Sequence, residues 1–153
     1  DVEVYAFEPA SSSYASMCAN IDANSLDNRI IGLCMGFCDR TELSELHLTS
    51  LEAGGAVHGF GTLGSMAESQ VNNVPTQRTL AFTIDEFRRI FDLRQVNYLK
   101  IDVDNVEEAI LRGATQTLGS DAIRSILIEN RPDDPDYTFQ IIDIMEKNRG
   151  VGG

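Results

Sequence analysis

Lys100-Ile101-Asp102-Val103-Asp104-Asn105-Val106-Glu107-Glu108-Ala109-Ile110-Leu111-Arg112-Gly113-Ala114 decides the fold, because an apolar run studded with acids passes directly into a helical pattern. The first part reads as a strand. The second reads as a helix with Val106, Ile110, Gly113, Ala114, Thr117 and Leu118 on its buried side. Open α/β sheets bind ligands outside the carboxyl ends of their strands, so Asp102 and Asp104 stand where chemistry can use them. A second junction of this kind, Val4-Tyr5-Ala6-Phe7-Glu8-Pro9, lies near the start. Together the two predict a nucleotide-type α/β fold.

The flanking segments alternate in the same way. Residues 2–7 form a short strand, and Ser11 to Ser13 supply a cap for a helix carrying Tyr14, Met17, Cys18 and Ile21 on one face. Arg29 to Phe37 reads as a buried strand and Glu42 to Thr49 as an edge strand, while Gly54 to Gly64 has no period and reads as a surface loop. After an extended approach at Thr79, Thr83 and Glu86 have capping-box spacing, ahead of a helix face of Ile84, Phe87, Ile90 and Phe91. Val96 to Val103 and Ile123 to Glu129 are further strands, and Tyr137 to Asn148 is a helix with Phe139, Ile142 and Met145 at core spacing. This order predicts parallel βαβ units with right-handed crossovers.

The bulk properties narrow the function classes. In 153 residues, 12 basic side chains face 24 acidic ones for a net charge of −12, and the acids are spread along the whole chain. This argues against nucleic acid as a direct partner and for a solvated acidic surface. No apolar run approaches the roughly 20 residues that span a bilayer. Cys18, Cys34 and Cys38 show neither a disulfide framework nor zinc spacing, and buried thiols in a reducing intracellular or organellar compartment account for them.

One ordered set of residues has the look of a known family. Ala6-Phe7-Glu8-Pro9, Tyr14, Asn20, Asn24, Thr83-Ile84-Asp85-Glu86-Phe87, Leu99-Lys100-Ile101-Asp102-Val103, Glu107, Leu111, Gly113-Ala114 and Ile128-Glu129 together resemble the FkbM-type methyltransferases. The resemblance implies a Rossmann-like class I methyltransferase fold, a mostly parallel sheet flanked by helices. It also implies S-adenosylmethionine as cofactor and O-methylation of a small molecule or sugar, with Glu8 accepting hydrogen bonds from the cofactor's ribose. A carboxylate at a strand end has two acceptor oxygens for a vicinal diol, which suits that role on physical grounds alone.

Two departures from the family pattern shape the expectation. Asp104-Asn105 stands where the family commonly has Glu-Gly, which shortens a carboxylate and removes a glycine. Only Asp1 to Glu3 precede the Val4-Tyr5-Ala6-Phe7-Glu8-Pro9 junction, where the family has a first strand and a glycine-rich cofactor loop, and Gly150 to Gly153 follow the last helix where it has further strands. The chain is therefore expected to be a single partial domain over residues 1–153, lacking its first and its C-terminal strands. A methyltransferase-like scaffold without catalysis, part of a larger assembly with protein partners, is the alternative to an enzyme with a small-molecule or glycan acceptor.

For the chemistry itself, Asp102, Asp104 and Glu129 are the candidate acceptor-side carboxylates. A hydroxyl acceptor needs a base, and Asp102 or Asp104 would serve, or the pair would hold a divalent cation through oxygen ligands. Structural roles compete: Asp104 or Asn105 as a helix cap, and Glu107 and Glu108 favouring the positive helix start. Lys100 is placed on the face opposite Asp102, and Glu129 has Asn130 or Arg131 as its structural partner. His47 is expected to be exposed, and His58 is placed in the glycine-rich loop.

Overall fold

The computed structural model describes residues 2–48, 59–60, 75–93, 95–103, 106–129, 131 and 133–149. Asp104, Asn105, His58 and most of the glycine-rich stretch lie outside the described residues. The chain is α/β and forms two compact units, residues 1–36 with 42–81 and residues 37–41 with 82–153.

In the first unit, β1 (Val4–Phe7) and β2 (Ile30–Leu33) pair in parallel, Val4 opposite Ile30 and Phe7 opposite Leu33. Helix α1 (Ser11–Ala23) is the crossover, and its Tyr14, Met17 and Ile21 close over Gly32. A Cβ at Gly32 would lie 3.1 Å from Met17 Cε, a tight contact that the flexible methionine relieves by giving a few tenths of an ångström. The serines do not cap α1. Ala10 takes the N-cap position, Glu8 Oε1 accepts its N–H at 2.8 Å, and Gln77 Oε1 accepts the N–H of Ser11 at 2.9 Å. The first N–H groups of a helix need some acceptor, and here side chains remote from the cap position supply it. The far end closes on Ser25 in the left-handed region (φ 54°), with Leu26 N donating to Ile21 O and Ser25 N to Asp22 O, the paired bonds of a Schellman turn.

The span expected as one strand from Arg29 to Phe37 breaks at Cys34 and Met35, leaving β2 and the two-residue β3 (Gly36–Phe37). Beyond it the sheet is antiparallel, where the order of elements predicted parallel βαβ units in a mostly parallel sheet. β4 (Glu42–His47) lies between β6 (Thr76–Phe82) and β5 (Gly59–Phe60), so it is interior and not an edge. Its period of two buries Ser44 and Leu46 and leaves Leu43 exposed. His47 is buried as well, 8% exposed, with Nδ1 3.4 Å from Oγ1 of its cross-strand neighbour Thr76. A polar partner across the ladder makes that burial tolerable, which the run of alternating polar residues did not disclose.

The second unit comprises α2 (Ile84–Ile90), β7 (Tyr98–Ile101), α3 (Glu107–Arg112), α4 (Thr115–Leu118), β8 (Ser125–Ile128) and α5 (Pro135–Arg149). β7 and β8 are parallel, with Ile101 opposite Ile128. Its core joins Ile84, Ile101, Ile110, Leu111, Ala114, Leu118, Ile141 and Ile144. The helix after β7 therefore buries the expected side, although it breaks into α3 and α4 at Gly113. In α5 the buried face is Ile141 and Ile144, while Phe139 is 69% exposed and Ile142 44%. The five apolar residues between Phe139 and Met145 allow two helical stripes, and contact with the core selects the other one. Ile90 and Phe91 are likewise exposed, but Phe91 packs its ring 4.7 Å from that of buried Phe87.

Three residues of the ordered set lock this unit. Thr83 Oγ1 accepts the N–H of Glu86 at 3.0 Å, half of the predicted capping box; the Glu86 carboxylate turns to Arg89 instead. Asp85 N donates to Gly113 O at 3.1 Å. The Asp85 carboxylate then accepts from Gln116 N at 2.8 Å, Thr117 N at 2.9 Å and Thr117 Oγ1 at 2.7 Å, capping α4 from another helix. Among the described residues no helix is long and apolar enough to cross a membrane.

Candidate functional site

Both parallel pairs end in carboxylates at their carboxyl ends. Glu8 follows β1, its N–H bound to Leu33 O at 3.1 Å, which extends the ladder by one residue and fixes the backbone from which the side chain leaves. One carboxylate oxygen caps α1 through Ala10. Cys34 follows β2 at the same end, its Sγ 3.9 Å from Pro9 O. Contrary to the expectation of buried thiols, Cys34 is exposed; Cys38 is buried and Cys18 intermediate. Partial desolvation, then the charge of Glu8, push the Cys34 pKa up, so it stands as a neutral thiol and a weak nucleophile.

The Pro9 carbonyl also receives Gln77 Nε2 at 2.7 Å. Gln77 thus clamps the Glu8-Pro9 turn through both ends of its amide, a contact between residues 68 apart that left no trace in the local sequence. An open groove along α1, lined by Met17, Asn20, Ile21, Asn24 and Ile30, lies by the first residue of β2. That is the amino end of the strand, the wrong end for an α/β ligand site.

In the second unit, Asp102 and Glu129 are the residues immediately after the paired positions Ile101 and Ile128. Adjacent strands lie about 4.8 Å apart, so the two carboxylates leave the sheet side by side. Glu129 N donates to Ile101 O at 3.2 Å, holding that register to its last residue. Lys100 Nζ is 2.6 Å from Asp102 Oδ2. The expected opposition of Lys100 and Asp102 fails because residues two apart on a strand share a face. Asp104, the third candidate, lies outside the described residues.

Behind this edge sits a group that the sequence reading assigned to other work. Glu107 is only 1% exposed, and Arg131 Nη2 reaches its Oε2 at 3.0 Å. The Arg131 guanidinium lies 3.8 Å over the ring of Tyr137. Arg131 therefore partners Glu107 and not Glu129. Glu107 stands in the first turn of α3, as expected, and is at the same time a buried ion-pair member. Val106 holds the N-cap of α3 without a side-chain bond, and Glu108 pairs with Arg112. Among the described residues no three His, Cys, Asp or Glu side chains converge as a metal site.

The Tyr137 hydroxyl is buried and makes no hydrogen bond of good geometry. Burial, then the neighbouring Glu107 carboxylate, raise its pKa far above the ordinary tyrosine range. Above the unfolded value of about 10 the unfolded chain gives up a proton that the folded chain keeps, so stability falls as pH rises. We expect the loss to reach a slope of at most about 1.4 kcal/mol per pH unit. Urea unfolding at alkaline pH checks this: Tyr137→Phe flattens that limb, and an identical limb in the variant would refute the assignment.

The family model described as the methyltransferase FkbM domain matches residues 2–150. No curated protein and no solved structure gave a significant match.

Proposed function

The chain belongs to the FkbM methyltransferase family, and on that premise we propose that it is an S-adenosylmethionine-dependent enzyme that methylates a hydroxyl of a small molecule or sugar on a Rossmann-like class I scaffold. The observation that carries this reading is the placement of Glu8, Asp102 and Glu129 directly after parallel strands, where α/β folds present their ligand-binding groups. The cofactor supplies an electrophilic methyl group on a sulfonium. The chain's task is to bind, to align and to take a proton from the acceptor hydroxyl.

Glu8 suits the ribose. Its Oε1 is engaged with Ala10 N, which orients the carboxylate, and its second oxygen accepts from a hydroxyl without disturbing the cap. Asp102 or Glu129 suits the base role. Asp102 is held by its ion pair with Lys100 at the strand end, 2.6 Å from Nζ to Oδ2.

Calorimetric titration of the intact protein with S-adenosylmethionine tests the reading. Heat of binding is the expected result, and none at high protein concentration would leave the scaffold reading in its place. Glu8→Ala is expected to weaken cofactor binding by about 1–3 kcal/mol, the loss of charge-assisted bonds. Glu8→Gln keeps an acceptor for Ala10 N and isolates the charge at the ribose, so it should lose less. Equal affinity in all three proteins would remove Glu8 from the cofactor site.

A further inference from the structure

We propose that Arg131 is a positioning residue for the acceptor-side carboxylates, clasping the junction after β7 to the junction after β8. The inference rests on the reading of Asp102 and Glu129 given above. Each end of the clasp lies close in sequence to one of them. Glu107 opens α3, five residues beyond Asp102, and Arg131 stands two residues beyond Glu129. The ion pair between them bridges 24 positions of sequence, and Tyr137, in the first turn of α5, brings a third element to the same guanidinium.

The chemistry selects for orientation over adhesion. Burying a carboxylate costs desolvation that its ion pair recovers only in part, so well-packed apolar side chains would hold the two junctions together as firmly. What apolar packing does not supply is direction. The planar guanidinium offers its edge to Glu107 and its face to the Tyr137 ring, which fixes its plane in two ways. Arg131 stands two residues beyond Glu129, whose N is held on Ile101 O beside Asp102.

The test is amide hydrogen exchange, read residue by residue, on the full chain carrying Glu107→Met with Arg131→Met. Removing both charges leaves no orphaned carboxylate, so a purely adhesive pair would be replaced without local consequence. We expect Leu99 and Ile126 amides to exchange at wild-type rates and the Glu129 amide to exchange about tenfold faster or more, the mark of a local opening. Wild-type protection of Glu129, or acceleration of all three amides in step, would overturn the inference. If the double variant does not fold, Arg131→Lys decides. It keeps a charge for Glu107 but loses the planar fork, and it should speed exchange at Glu129 and not at Leu99, whereas equal protection overturns the clasp. Titration of the wild-type protein with S-adenosylmethionine separates the two failures, because absence of binding refutes the cofactor reading whatever the exchange rates show.

Discussion

Gly113→Ala is expected to destabilise the second unit by about 3 kcal/mol, at the upper end of what overpacking costs. A Cβ there would lie 2.3 Å from the carbonyl oxygen of Cys38 and 3.2 Å from Thr83 Cβ. The obstacle is backbone, so no rotamer change relieves it. Conformation is not the reason for glycine at this position, since its φ of −81° is open to any residue. The space is. Moving the chain to make room pulls Gly113 O from Asp85 N, and Asp85 is the residue whose carboxylate caps α4. Gly119→Ala is the internal control: its Cβ would meet Asn148 O at 3.1 Å, a contact that a few tenths of an ångström relieves. Denaturant unfolding of both variants checks the ranking. A loss under about 0.5 kcal/mol for Gly113→Ala, as at an unconstrained surface position, would mean that the Cys38 carbonyl is not where we place it.

The same contacts explain why part of the fold was legible. Thr83, Asp85 and Gly113 lie in short stretches whose spacing is local, yet they interlock, so part of the ordered set that gave the family away also holds one unit together. Hydrophobic period found Ile110, Ala114, Thr117 and Leu118 on the buried side of α3 and α4 and missed Leu111, which is buried beside them. It misplaced α5 because the apolar residues between Phe139 and Met145 admit two stripes. The antiparallel β4 to β6 pairing was missed because its partners are 29 to 39 positions apart, and pairing is set by tertiary contact more than by the pattern of either strand.

The candidate site divides in the same way. Glu8, Asp102 and Glu129 follow β1, β7 and β8 as a strand-to-turn reading requires, because a strand's end is a local signal. Gln77 and Arg131 act on residues 66 to 68 and 24 positions away, and nothing beside them in the sequence names the partner. Glu107 was the harder case. A glutamate in the first turn of a helix is ordinarily a solvated charge favoured by the helix dipole, and only burial reveals that it needs a cation.

That need sets the second large effect. Arg131→Ala is expected to cost about 3–5 kcal/mol, because it leaves the Glu107 carboxylate buried without its counter-charge. Glu107→Ala should cost less, although it breaks the same pair. Arg131 is 31% exposed on its side chain and can turn to water, whereas Glu107 at 1% cannot. The asymmetry is the informative part, for a surface ion pair would lose under about 1 kcal/mol from either side. Unfolding of the two variants at neutral pH measures it. A deficit of equal size in both variants would show that the carboxylate reaches water and that the pair is held at the surface.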